Sequence, residues 1–257
     1  MTVENSAYIQ AQDLTLKTPM GPVYEHVSFT CGKGQVISIF GSEGCGKTSL
    51  LLTLAGRMKA NSGTAKVAGF DLKKEYKKIR KISNITIVER VNDVPTNSRI
   101  DDIIAAELQV VGKSGRKAGV KAFLEEWDLT KLSGTRFRDL EAFEKKLFDV
   151  ALACAGDPEI LMVDDIQDGL TQHQGIRLMK AFKNLAQNRG MTIFVGIGEY
   201  DIARYADAVV VVSASAERQR RAVIKERGEG AQCLVAGCGN GVELDLNIVP
   251  VAQEGGR

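Results

Sequence analysis

The sequence predicts an α/β protein folded around a phosphate-binding loop, with a mixed core sheet, an antiparallel side lobe and a helical lobe. Three observations carry that prediction. The stretch Gly41-Ser42-Glu43-Gly44-Cys45-Gly46-Lys47-Thr48 fits the pattern G-x-x-x-x-G-K-[ST] at every fixed position. Apolar, β-branched runs at residues 35–40, 85–88, 160–164, 191–195 and 208–212 alternate with helical patterns, as the strands of an α/β sheet do. Between residues 100 and 154 the apolar spacing is helical, which sets that stretch apart as a lobe.

Residues 8–16 and 27–31 read as strands, with Thr18-Pro19-Met20-Gly21-Pro22 as the turn between them, and together they make a small antiparallel lobe. Residues 35–40 then run into the glycine loop as a buried strand, and the leucine-rich residues 49–58 leave it as a helix. Phosphate binding requires that order. Glycines let backbone N–H groups turn inward around an anion, and the positive end of the following helix points at the same place. The nucleotide-binding set is therefore Gly41, Ser42, Glu43, Gly44, Cys45, Gly46, Lys47, Thr48 and Ser49. Lys47 is the side chain that reaches the β- and γ-phosphates, and Thr48 supplies the hydroxyl ligand of a magnesium ion. Cys45, inside the loop and at a helix start, is expected to be a reactive thiol.

Asn61-Ser62-Gly63 stops this helix, residues 64–67 read as a strand, and Gly69 turns the chain toward a lysine-rich segment at 73–81 that reads as a solvated face. In the helical lobe, Ile103, Ile104, Leu108 and Val111 recur at helix spacing, followed by Val120, Phe123, Leu124 and Trp127 after a glycine-bounded break. Leu140, Phe143, Leu147, Val150, Ala151 and Cys154 form the third such stripe, and Gly156-Asp157-Pro158 ends it. Trp127 reads as core. Ile160-Leu161-Met162-Val163-Asp164 is an apolar run ending in an acid, the form of a strand that delivers an aspartate to a magnesium site, so Asp164 joins Thr48 as a candidate metal residue. Residues 169–188 supply a crossover helix to the next strand. Near the end, residues 217–227 are basic and read as solvated. Val242, Leu244, Leu246 and Ile248 alternate with polar residues like a half-buried strand, and residues 253–257 are polar.

A net charge of +2, from 34 basic and 32 acidic residues, gives no field that implies nucleic acid, so phosphate binding has to be local. No stretch approaches the roughly 18 uninterrupted apolar residues of a membrane span, and residues 1–7 lack the layout of a signal peptide, which predicts a cytoplasmic protein. The 5 cysteines are odd in number and scattered, against a disulfide framework. With His26 and His173 the only histidines, a metal clip at Cys233 and Cys238 is not expected.

Over residues 8–212 the order of elements resembles the ATP-binding subunit of the ABC transporter family. Beyond the phosphate loop, Ser62-Gly63-Thr64-Ala65-Lys66-Val67-Ala68-Gly69 resembles the family's glycine-bounded hairpin. Ala151-Leu152-Ala153-Cys154-Ala155-Gly156-Asp157-Pro158-Glu159-Ile160-Leu161 is similar to the helix end and turn that lead into its acidic strand, and Ala206-Asp207 followed by valines to its last core strand. The resemblance implies a P-loop NTPase of the ABC ATPase type, with an ATP-binding domain over residues 1–215, a helical lobe at about 98–156 within it, and a C-terminal extension at 216–257.

Departures from the family pattern bear on chemistry. The family's serine-glycine-glycine signature, which meets the γ-phosphate held by a partner subunit, corresponds here to Leu140-Glu141-Ala142-Phe143-Glu144, where two glutamates face a phosphate that is already negative. The catalytic glutamate corresponds to Asp165, the same carboxylate on a shorter arm. The switch histidine falls at about Ile197 in Gly196-Ile197-Gly198, the loop glutamine near Glu89-Arg90, and the adenine-stacking aromatic near Lys17 or Thr18; none of these keeps the family residue type. The resemblance therefore implies an ATP and magnesium-binding subunit with weak or absent hydrolysis, whose nucleotide state controls association with a partner. Implied partners are a membrane permease subunit, a related ATPase or a second copy, and the permease or ATPase would hold the chain at the inner face of the membrane. The competing implication is an active motor of a membrane transporter, with Asp165 as base. No Asn-Lys-x-Asp motif supports a GTP-binding switch.

Overall fold

The computed structural model describes residues 7–88, 91–212 and 232–235. Positions 89–90, the basic stretch 217–227, the alternating stretch 242–248, the polar end 253–257, Cys238 and the Cys233 side chain lie outside the described residues.

The chain opens with β1 (Ile9–Thr18) and β2 (Gly21–Cys31), paired antiparallel through the turn at Pro19-Met20. The phosphate loop then sits between β3 (Val36–Phe40) and α1 (Lys47–Leu54). A hairpin of β4 (Ser62–Val67) and β5 (Phe70–Asp71) follows, turning at Ala68 and Gly69, both in the left-handed region. Next come α2 (Tyr76–Ile82) and β6 (Ser83–Ile85), and the helical lobe of α3 (Ile100–Val110), α4 (Lys117–Glu126) and α5 (Ala142–Ala153). The remainder is β7 (Ile160–Val163), α6 (Gln172–Arg189), β8 (Thr192–Ile197), the single turn α7 (Tyr200–Ala203), β9 (Ala208–Val211) and β10 (Gln232–Val235).

These strands form two sheets. Strands β2-β1-β4-β5 make an antiparallel side lobe, and β10-β9-β3-β8-β7-β6 make the core sheet. Every strand pair of the core sheet is parallel among the described residues, which corrects the expectation of a mixed sheet. The physical reason is segregation. All the hairpin-connected strands leave for the side lobe, and what remains is joined by crossovers that return each strand in the same direction. Strand β10 has no counterpart in the sequence reading.

Helix α1 explains why its sequence is leucine-rich rather than amphipathic. Leu50, Leu51, Leu52 and Leu54 are all buried, because the helix is packed in one core with residues of both sheets. A second core lies under the parallel sheet with α6, and a third fills the helical lobe around Ile104, Phe123 and Phe148. Trp127 packs against both of these, consistent with the core reading, and the Arg189 guanidinium stacks over its ring at 4.6 Å. Among the described residues no helix is long and apolar enough to cross a membrane.

The expected strand at residues 85–88 is shifted. Strand β6 covers Ser83–Ile85, the Thr86 N–H still donates to Met162 O at 2.9 Å, and then the chain leaves the sheet. Side chains take over the ladder: Ile87 N–H donates to Asp149 Oδ1 at 2.6 Å and Val88 N–H to Asn92 Oδ1 at 2.6 Å.

At Gly63, φ is +83° and a Cβ would stand 2.3 Å from the Asp13 carbonyl oxygen across the β1–β4 pairing. Gly63→Ala should therefore lower the free energy of unfolding by about 2 kcal/mol or more, through strain and the overlap together. Urea unfolding checks this, and an unchanged midpoint would contradict it.

Candidate functional site

The order β3-β8-β7 brings the ends of two strands to one edge of the core sheet, the carboxyl edge where open α/β sheets bind ligands. From β3 comes the phosphate loop. Gly46 has φ +94° and a Cβ there would lie 2.7 Å from the Val23 carbonyl, so the side lobe closes directly against the loop. Gly41 is equally confined, since its Cβ would meet Val212 O at 2.2 Å and Cys45 Sγ at 2.5 Å. Lys47 arches back over the loop, donating to the carbonyls of Gly41 and Ser42 at 2.9 Å each.

From β7 comes Asp164, whose Oδ2 accepts the Thr48 hydroxyl at 2.7 Å. Between the two strands lies Gly196 of β8. A Cβ on it would sit 2.9 Å from Asp164 Oδ1 and 3.4 Å from Leu51 Cδ1, so glycine is what lets the carboxylate lie across the central strand. The Asp164 N–H donates to Thr86 Oγ1 at 3.1 Å, which ties the loop after β6 to the same point. Two hard oxygen donors beside a phosphate loop are the donor set magnesium takes, so the residues fit that ion.

Asp165 is exposed and in the left-handed region at φ +41°, and its carbonyl accepts Lys146 Nζ at 2.6 Å. Partial desolvation by the surrounding loops pushes its carboxyl up from the ordinary range; Lys146 and Lys47 pull it down, while Asp168 and Asp164 push it further up. Gln167 reaches across to the turn after β8, where its Oε1 accepts Gly198 N–H at 2.7 Å and Glu199 N–H at 3.1 Å. Ile197, near the end of β8, is fully enclosed in the core.

On α5 the first turn is occupied by the protein's own groups. The Glu144 carboxylate accepts Glu141 N–H at 3.0 Å, and the Arg177 guanidinium stacks over the Phe143 ring at 5.2 Å. At the end of the β1–β2 hairpin, Lys17 pairs with Glu25 at 3.1 Å and the Thr18 hydroxyl donates to Gly21 O at 3.1 Å, with no aromatic ring at either position.

A model of the ABC transporter family matches residues 24–167. The chain belongs to the ABC transporter family. Over 189 residues this ABC-family chain is 23% identical to ABC transporter A family member 1 of Dictyostelium discoideum, covering 74% of the chain and 21% of that protein. It is 26% identical over 235 residues to the methionine import ATP-binding protein MetN of Streptomyces coelicolor, covering 86% of the chain and 64% of the relative. The chain thus spans about a fifth and about two-thirds of these relatives' lengths. Its fold is similar to that of cbiO1 from Clostridium perfringens, part of the cbiONQ ABC transporter complex, with a TM-score of 0.66 at 20% identity over 80% of this chain and 84% of that one.

Four side chains that the sequence reading passed over hold the loops around this ABC-family site and lie outside the phosphate and metal contacts: Thr86, Lys146, Asp149 and Gln167. Only Asp149 carries a sequence signal, an acid inside the apolar run Leu147-Phe148-Asp149-Val150-Ala151. Cys45 departs from its expectation in another way. It is 0% exposed, enclosed by the loop, so a reagent reaches it only when the loop opens. Alkylation in the native protein should be at least about a hundredfold slower than in denaturant, followed by mass spectrometry of the Cys45 peptide; labelling at the unfolded rate would contradict the packing.

Burial pushes the Asp149 carboxyl up to about 7, against the pull of the Ile87 N–H and of Lys146. A carboxyl whose folded pKa is raised costs stability as pH climbs from the ordinary carboxylate range to about 7, because the unfolded chain releases its proton first. Asp149→Asn keeps an acceptor for Ile87 and removes that cost. Relative to wild type it should gain up to about 4 kcal/mol between pH 4 and pH 8 in urea unfolding. A difference that does not vary with pH would contradict this assignment.

Proposed function

We propose that this chain is an ATP and magnesium-binding subunit of an ABC transporter system in which hydrolysis is weak or absent and nucleotide state controls association with a partner. The observation that carries the binding half is the Thr48–Asp164 contact at 2.7 Å beside a complete phosphate loop. In this reading the N–H groups of Gly41 to Ser49 cradle the phosphates and Lys47 leaves its two carbonyls for the β- and γ-oxygens. Thr48 and Asp164 hold the magnesium, which when bound neutralises phosphate charge.

The weak-hydrolysis half is supported by what surrounds that contact. Asp165 is the remaining base, on a short arm, with its carbonyl held by Lys146. Position 197 is a buried isoleucine, with no polar group to orient a γ-phosphate or water. The start of α5 offers a glutamate-capped turn and a stacked phenylalanine in place of open backbone donors. Losing one transition-state donor commonly costs about 3 kcal/mol, on the order of a hundredfold in rate, and these losses fall on several.

Partners in this reading are a membrane permease, a related ATPase or a second copy, reached from the cytoplasm. Residues 1–215 are the ATP-binding domain and 216–257 an extension, from which β10 pairs in parallel with β9. The runner-up, a working transport motor, draws on Asp165 alone.

Calorimetry with ATP and magnesium should show binding in the wild type and its loss in Lys47→Ala; equal affinity in both would overturn the binding assignment. Phosphate release from the purified chain should stay at least about a hundredfold below the 1 per second of an ordinary enzyme. A Lys47-dependent rate of about 1 per second would establish the motor instead.

A further inference from the structure

Two side chains one turn apart on α5 hold the two loops that flank Asp164. Lys146 Nζ donates to the Asp165 carbonyl at 2.6 Å, and Asp149 Oδ1 accepts the Ile87 N–H at 2.6 Å. The loops are joined to each other, since Asp164 N–H donates to Thr86 Oγ1 at 3.1 Å. The contacts close a ring. It runs from Asp164 through Thr86 and Ile87 to Asp149, back along α5 to Lys146, and through Asp165 to Asp164 again. One member, Asp164, also accepts the Thr48 hydroxyl of the phosphate loop.

The helix in this ring is built into both lobes. Phe148, Ala151 and Leu152 are buried in the core of the helical lobe, while Val150 and Ala153 are buried under the parallel sheet. A helix packed on both sides shifts as a unit, because close-packed interfaces do not deform continuously. Lys146 has a further effect on its own loop. Asp165 sits at φ +41°, where a residue with a Cβ is disfavoured, and a charge-assisted bond to its carbonyl offsets that strain.

We propose that Lys146 and Asp149 are a pair of positioning residues that carry occupancy of the phosphate site through α5 to the helical lobe. A change at the Asp164 carboxylate moves Thr86 and Asp165 together, and both are fastened to the same helix. This rests on the nucleotide-binding reading above and says by what route the binding state leaves the site. Neither residue touches the phosphate loop in any described hydrogen bond, so neither is assigned a catalytic role.

The sole tryptophan of the sequence, Trp127, reports on the route without labelling, since it packs against both cores and lies under Arg189. Calorimetry with ATP and magnesium measures binding, and Trp127 emission on the same solutions measures coupling. Wild type should change its emission on binding. Lys146→Met and Asp149→Ala should bind within about threefold of wild type yet lose at least about half of the emission change. Lys146→Arg should restore it, and the double variant should lose no more than the larger single loss, because either change opens the ring.

A full emission change in both folded single variants would overturn the proposal, as would a loss that Lys146→Arg does not repair. Wild type that binds ATP with flat emission overturns the coupling and leaves binding standing. Absence of binding heat overturns the nucleotide reading itself, and the coupling with it. Should thermal melting show Asp149→Ala unfolded, Asp149→Asn takes its place: it keeps the acceptor for Ile87 and must keep the emission change, and its loss would overturn the proposal.

Discussion

The hydrogen bond between Thr48 and Asp164 is the contact on which the rest of the site depends, because it joins the ends of two strands that are not sheet neighbours. Strand β8 lies between them, and only a residue without a Cβ at Gly196 leaves room for the carboxylate to cross. The parallel order β3-β8-β7 puts all three carboxyl ends on the same edge, so one small residue in the central strand is enough. The same edge receives Gly41, whose N–H donates to Ile197 O at 3.2 Å, and the loop after β6 through Thr86. Phosphate loop, acidic residue and loop backbone are thus fixed relative to one another by the sheet, and side-chain flexibility has little part in it.

Around this fixed centre the neighbouring loops are held by hydrogen bonds from within the chain. The turn after β8 is pinned by Gln167, the Asp165 carbonyl by Lys146, and the loop after β6 by Asp149 and Asn92. Each bond comes from a neighbouring element of the same chain. The first turn of α5 is closed in the same way, where the Glu144 carboxylate accepts the Glu141 N–H.

How much of this was legible in the sequence follows from how local each signal is. The phosphate loop, its flanking strand and helix, and Asp164 at the end of an apolar run were readable because each is a contiguous pattern with one physical meaning. The two lobes were readable from changes in hydrophobic period. Strand direction in the core sheet was not, since it depends on where every hairpin strand goes, and β1, β2, β4 and β5 all go to the other sheet. The end of β6 was misplaced by three residues because Ile87 and Val88 are as apolar as a strand but spend their N–H groups on Asp149 and Asn92, a decision made by residues far along the chain or in the following turn. Lys146 and Gln167 read as ordinary surface residues until the loops they hold are placed beside them. Cys45 was expected to be reactive from its helix position, and it is packing that encloses it.

In the proposed reading Thr48 and Asp164 together hold the metal of a nucleotide site. Manganese in place of magnesium, followed by electron paramagnetic resonance with and without ATP, tests it most directly. Binding of about one manganese ion per chain should depend on ATP and be lost in Thr48→Val and in Asp164→Asn while both variants remain folded. Manganese bound with the same affinity in wild type and both variants would contradict it.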